Sequence, residues 1–297
     1  MPPGAGITTV YRSGAALARL LPSVAAQWLP DLGAWPLASL ARRQRVMVAR
    51  HMRRALGPAV DARAVRRAVR DAYGSYIRYW IESFRLPGTS VAALDEGIEV
   101  PDYHRVEAGL AAGKGVILAL PHLGGWEWAG FWMAAHHGHR ITVVVEPVSP
   151  PELFDWFAKF RSDLGMDVVP LGPDAGKAVL GALRRNEVVC LLSDRDIAGG
   201  GVPVEFFGET TTLPAGPAML ALRSGAALLP TAVYFRPAGH HLGVVRPPLD
   251  TARRGSIRED VARLTQDLAD ELAHLVGRAP SQWHMFQPNW PSDLQNV

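Results

Sequence analysis

The chain has 297 residues, of which 48% are hydrophobic and 20% charged, enough for a substantial core and inconsistent with disorder. Its net charge of +3 is carried almost entirely by arginine, since Lys114, Lys159 and Lys177 are the only lysines. The single cysteine, Cys190, lies in the apolar run VVCLL, which excludes an intramolecular disulfide and suits a buried strand in a cytosolic or cytosol-facing protein.

At the N-terminus no basic region precedes a clean apolar run, so no signal peptide is expected. No apolar stretch reaches the roughly 18 residues of a transmembrane helix. Ala15 to Leu29 places Leu17, Leu20, Leu21, Val24 and Trp28 at helical spacing, interrupted by Pro22. That pattern fits a helix in a membrane interface or one packed on the protein's own core. Residues 1–95 read as several helices, with breaks expected near Pro30, Pro36, Pro58 and Pro87. Basic residues crowd two stretches there: Arg42, Arg43, Arg45, Arg50, His51, Arg53 and Arg54, then Arg63, Arg66, Arg67 and Arg70. They form either a solvated helical face or a surface for anionic lipid headgroups. No aromatic-interleaved basic motif or zinc-knuckle spacing is present, so nucleic acid is not an expected partner. Further on, Tyr73, Tyr76, Ile77, Trp80, Ile81 and Phe84 form an amphipathic helical stripe.

From about residue 113 the pattern changes to short β-branched runs alternating with helical segments. Strands are expected at 115–120, 141–145, 166–170, 188–193 and 228–235, with a weaker one at 241–246, and a closing helix from Ser256 to Val276. Such alternation implies an α/β fold with a central, mostly parallel sheet flanked by helices. The expected organisation is a single domain, 1–297, with a helical N-terminal subregion (1–95) before an α/β core (96–297).

Functional groups in open parallel sheets gather beyond the carboxyl ends of strands. Three such ends carry polar residues: His122 to Glu127 after GVILAL, Glu146 after ITVVV, and Asp194-Arg195-Asp196 after VVCLLS. A histidine with carboxylates at neighbouring strand ends can assemble a general base and its orienting acid. Gly124 and Gly125 allow an unusual turn, and only such a turn lets Glu127 meet His122, because five residues on a helix point about 140° apart. Glu127 could equally serve the first turn of a helix. Trp126, Trp128, Phe131, Trp132, Phe206 and Phe207 are candidates for a hydrophobic channel or for core packing. His136, His137 and His139 lack metal-ligand spacing, so no metal is expected; Walker, dinucleotide and serine-elbow motifs are also absent, and no cofactor is expected.

HLGGWE fits the His-x4-Asp/Glu motif, and the chain resembles the glycerolipid and lysophospholipid acyltransferase superfamily. The resemblance extends through YWIESFRLP, LPHLGGWEWAG, KFRSDLGMDVVPL, LLSDRD, VEFFGETTTLPAGPAMLAL and SQWHMFQPNWPSD, roughly residues 79 to 293. It is nearest the branch holding lipid A late acyltransferases and actinobacterial phosphatidylinositol mannoside acyltransferases, and the arginine-rich N-terminal portion points to the mannoside side. The resemblance implies that His122 is the base on an acceptor hydroxyl. It also implies acyl-CoA (or acyl carrier protein) as donor, a glycolipid acceptor, and a peripheral location on an anionic membrane at its cytoplasmic face. Glu127 is the motif's acid for His122 and Asp194, at the end of a neighbouring strand, its rival; Asp194 is the favoured contact, with Glu127 then structuring the turn, and Glu205 is a third candidate. Glu146, Arg161, Arg195, Asp196 and Glu205 are the substrate-binding candidates; for Arg161 and Arg195 an ordinary ion pair is the competing role. Another lipid acceptor, or a non-catalytic lipid-binding protein, are the alternative functions.

Overall fold

The computed structural model describes residues 5–294. Four helices come first: α1 (Ala5–Leu20), α2 (Ser23–Leu40), α3 (Arg42–Leu56) and α4 (Ala62–Arg85). Asp61 caps α4 by accepting the Ala64 N–H at 2.7 Å, and Val65, Val69, Ala72 and Tyr73 form its buried stripe. Pro22, Pro58 and Pro87 fall at or just beyond helix ends, as their missing N–H and fixed φ require.

The breaks expected at Pro30 and Pro36 do not occur, since α2 runs through both. Each proline forfeits one backbone hydrogen bond, but α2 lies so close to α4 that a Cβ on Gly74 would sit 3.4 Å from the Pro30 carbonyl. Pro30, Ala34 and Ala38 are buried in that small-residue seam, and tertiary packing overrides local propensity. The opposite side of the helix stays apolar and exposed, through Val24, Trp28, Leu32 and Trp35.

The α/β part follows as α5 (Val91–Glu96), β1 (Ile98–Glu99), α6 (His104–Ala111), β2 (Val116–Leu120), α7 (Trp126–Ala135), β3 (Ile141–Val145), α8 (Pro151–Asp163) and β4 (Met166–Pro170). It continues with α9 (Ala175–Arg184), β5 (Val188–Leu192), β6 (Val202–Phe206), β7 (Glu209–Leu213), α10 (Gly216–Ser224), β8 (Ala227–Phe235), β9 (His241–Val245) and α11 (Ile257–Gly277). Seven strands form one sheet in the order β1-β9-β8-β2-β5-β3-β4, parallel except where β8 meets β9. The expected α/β architecture with a mostly parallel sheet is therefore the observed one. Every residue of β2 is buried, as a central strand covered on both faces must be. Ile117, Ala119, Val189 and Leu228 face α9, α10 and α11, whereas Leu118, Val188 and Leu229 face α6 and α7.

The β6–β7 hairpin has no counterpart in the expected strands. Its signal is the alternation Val202, Val204, Phe206 on one side against Pro203 and Glu205 on the other. Phe207 and Gly208 make the two-residue turn with φ of 53° and 74°, the backbone twist that a tight hairpin needs. Phe207 is an unfavourable residue there, which hides the turn from composition alone.

Candidate active site

Parallel register brings the two central groups together. Leu120 of β2 pairs with Leu192 of β5, and the Ser193 N–H donates to the Leu120 carbonyl at 2.8 Å. Two residues past each strand end, His122 and Asp194 consequently lie side by side. Asp194 Oδ1 is 2.6 Å from His122 Nδ1, and Asp194 Oδ2 accepts the His122 backbone N–H at 3.0 Å. The Trp283 indole N–H also donates to Oδ2, at 2.7 Å. Burial alone would push the fully buried Asp194 carboxyl up. The His122 ring and the hydrogen bonds from His122 and Trp283 outweigh it and hold the group below the ordinary aspartate range. An ionised Asp194 accepts only, so His122 Nδ1 carries a proton, and in the neutral imidazole the lone pair is then on Nε2.

The turn after His122 depends on glycine. Gly124 has φ of 62°, and a Cβ there would fall 1.9 Å from the Val233 carbonyl oxygen. The Gly124 N–H donates to Gln282 O and that of Gly125 to Val233 O, so the loop is fastened to both β8 and the C-terminal segment.

Glu127 does not reach His122. It is buried in the first turn of α7, where its Oε1 accepts from Arg161 Nε (3.1 Å) and Nη2 and from the Tyr79 hydroxyl (3.3 Å). Of the acids weighed against His122, Asp194 makes the contact and Glu127 braces α7 against α8 and α4. Burial pushes the Tyr79 phenol well up, so it remains a donor.

The other candidates separate into cavity and non-cavity residues. Glu146, Arg161, Arg195 and Asp196 line the same cavity as His122. Arg195 Nη2 donates to Glu146 Oε2 at 2.9 Å, while its buried Nε has no partner among the described residues. Asp196 is largely occupied in holding its own loop, accepting from the N–H groups of Gly199 (3.0 Å) and Gly201 (2.7 Å) and from the Thr212 hydroxyl (3.2 Å). Glu205 departs from expectation. It is exposed on β6, outside the cavity, with its backbone tied to Gln266 of α11, because the unexpected hairpin turns it to solvent.

The cavity encloses about 910 Å³. On β2, β5 and β3 its floor is Leu118, Cys190 and Val143, which are in register with one another. The layer below, Val116, Val188 and Ile141, is fully buried and closes it. Trp126, Trp132 and Met133 of α7 and Val106 of α6 supply apolar walls. Only Trp126 and Trp132 of the six aromatic channel candidates line it. Trp128 stacks on His241 with ring centroids 4.5 Å apart, Phe131 packs against the neighbouring core, and Phe206 and Phe207 pack on Trp283. Burial pushes the Cys190 thiol up to about 12, which removes it as a nucleophile.

The basic stretches also divide. His51 is buried, with its rings nitrogens facing Met285 O (2.8 Å) and Asp293 Oδ2 (3.1 Å), and Arg54 bonds Asp293, Glu209 and Ser292. Arg42, Arg43, Arg53, Arg63, Arg66, Arg67 and Arg70 remain exposed.

Residues 3–292 match the family model described as bacterial lipid A biosynthesis acyltransferase. A phosphatidylinositol mannoside acyltransferase of Mycolicibacterium smegmatis is 38% identical over 301 residues, covering 100% of this chain and 95% of that protein. One of Mycobacterium tuberculosis is 39% identical over 291 residues, covering 96% of this chain and 88% of that protein. The chain that builds this histidine–aspartate pair at the mouth of an apolar cavity belongs to the bacterial lipid A biosynthesis acyltransferase family.

Proposed function

We propose that the enzyme moves a long-chain fatty acyl group from acyl-CoA to a mannose hydroxyl of a phosphatidylinositol mannoside, with His122 as general base. The observation that carries this reading is the His122–Asp194 pair at the entrance of the apolar cavity. The acyl chain fills the cavity and leaves its thioester carbonyl beside His122. Nε2 of His122 takes the proton of the sugar hydroxyl as that oxygen attacks the carbonyl carbon, and Asp194 stabilises the imidazolium. The tetrahedral intermediate collapses with loss of the CoA thiolate, and the imidazolium returns the proton to sulfur. Arg195, a cation at the mouth with an unpaired Nε, is placed for the donor's phosphate or the developing oxyanion.

Purified protein should release CoA from palmitoyl-CoA only when a phosphatidylinositol mannoside is present. His122→Ala should lower that release by about 10²–10⁴-fold. Equal release by wild type and variant would remove His122 from the chemistry. No release by either would reopen the donor, beginning with an acyl carrier protein thioester.

A lipid acceptor calls for a membrane surface. No helix among the described residues is long and apolar enough to cross a bilayer. We place the enzyme peripherally on the cytoplasmic leaflet, held by the exposed apolar residues of α1 and α2, including Leu17, Leu20, Trp28 and Trp35, and by the exposed arginines. The protein should sediment with anionic vesicles at low salt, and raising salt to about 1 M should weaken but not abolish this, because only the charge attraction is screened. Protein left entirely in the supernatant at low salt would refute the attachment.

A further inference from the structure

The segment from Gln282 to Asp293 contains no strand of the sheet, yet it contacts the catalytic pair from several directions. Gln282 O accepts the Gly124 N–H at 3.0 Å, Leu123 and Trp283 form an isolated antiparallel bridge, and the His284 N–H donates to His122 O at 2.7 Å. On the acid side, Trp283 Nε1 donates to Asp194 Oδ2, and Asn289 Nδ2 donates to the Asp194 backbone carbonyl at 3.1 Å. One short segment therefore fastens both strand-end loops that carry the pair.

The segment is itself anchored. Asp293 is fully buried, and its Oδ2 accepts the backbone N–H groups of Asn289 (3.0 Å) and Trp290 (3.1 Å). Its Oδ1 accepts from Arg54 of α3 at 2.9 Å, while His51 of the same helix faces both Asp293 and Met285 O. Packing adds to this, since the Trp290 ring stacks on Phe206 with centroids 5.8 Å apart and interplanar angle 11°.

We infer that this C-terminal segment is the positioning element of the histidine–aspartate pair, in which Trp283 orients the Asp194 carboxylate and Asn289 fixes the Asp194 backbone. A carboxylate's terminal torsion is broad, so burial alone does not set the plane in which its two equivalent oxygens lie. The indole N–H and the His122 backbone N–H converge on one oxygen, Oδ2, and fix that plane so that the other, Oδ1, meets the imidazole. Trp283 and Asn289 are positioning residues, acting through Asp194 without touching the reacting atoms. The inference rests on the acyl-transfer reading for its kinetic consequence but not for its structural one.

Trp283→Phe keeps an aromatic ring and removes the N–H, and Asn289→Ala removes the amide. Phe207→Leu, which loosens packing on Trp283 without bonding to the pair and leaves the Trp290–Phe206 stack in place, is the control. Steady-state acyl transfer should show kcat lowered about tenfold or more in Trp283→Phe with KM unchanged, and a smaller fall of the same kind in Asn289→Ala. The short His122 Nδ1 hydrogen bond, followed through its downfield proton resonance, should move upfield or broaden in Trp283→Phe and persist in Phe207→Leu. This second readout needs no substrate, so it stands even if the protein transfers no acyl group and the proposed function fails. If both kcat and the resonance match wild type in Trp283→Phe, or if Phe207→Leu reproduces the changes, the segment only packs and the inference is overturned. Should Trp283→Phe not fold, Asn289→Ala decides by the same measurements.

Discussion

Asp194→Asn should lower kcat by about 10⁴-fold while leaving KM and the fold nearly unchanged, a loss of the size expected when an amide replaces the carboxylate behind a catalytic histidine. The reason lies in which way the asparagine must face. Two donors, the Trp283 indole N–H and the His122 backbone N–H, point at the position of Oδ2. Only the amide oxygen can satisfy them, so the amide NH₂ is turned toward His122 Nδ1. Facing a donor, Nδ1 must accept, and the ring proton moves to Nε2, the nitrogen that the proposed mechanism uses as base. The variant is nearly isosteric and should unfold close to wild type. Asp194→Ala is a poorer probe, because it strands the buried indole N–H at a cost of about 1–3 kcal/mol. Single-turnover measurements with palmitoyl-CoA and a mannoside acceptor would check the prediction. A loss smaller than tenfold would mean that Asp194 does not set the tautomer.

Much of this arrangement is legible in the sequence for identifiable physical reasons. A buried parallel strand must be a short apolar run, so GVILAL and VVCLL declare themselves, and the polar residues that end them mark the active edge of the sheet. The Gly124–Gly125 pair announces a turn that a Cβ would block. Pairing His122 with Asp194 needs one further fact, that β5 lies beside β2, which is strand order and has no local signature. The C-terminal clamp is less accessible still. SQWHMFQPNWPSD has neither helical nor strand periodicity, and its meaning comes from an indole and an amide that reach across 89 and 95 residues of chain to Asp194. Glu205 misleads for the opposite reason. It belongs to a segment that resembles the family, but the hairpin alternation sends Val204 and Phe206 inward and Glu205 outward. In α2, prolines that locally forbid helix are overruled by a neighbour, Gly74, more than thirty residues away in sequence.

Arg161→Met should destabilise the protein by about 3–5 kcal/mol, because it leaves the buried Glu127 carboxylate without its cation. Glu127 is 4% exposed, and the Tyr79 hydroxyl at 3.3 Å would be its one remaining side-chain donor among the described residues. The double variant Arg161→Met/Glu127→Gln should recover most of that loss, since removing both charges also removes the desolvation cost that their attraction offsets. Urea unfolding of the two single variants and the double completes the cycle. The same set separates the two roles weighed for Arg161. If it binds substrate, activity stays low in the double variant even as stability returns. If it only holds Glu127, activity returns with stability. The bracing role is favoured by the geometry, as both guanidinium contacts go to Glu127 Oε1 and join α8 to the start of α7. Glu127 also lies at the positive end of the α7 dipole, where a carboxylate is stabilised. The motif glutamate then sits on the wall of the apolar cavity, five residues and one glycine turn from the histidine it accompanies in sequence. The acid that contacts that histidine follows another strand.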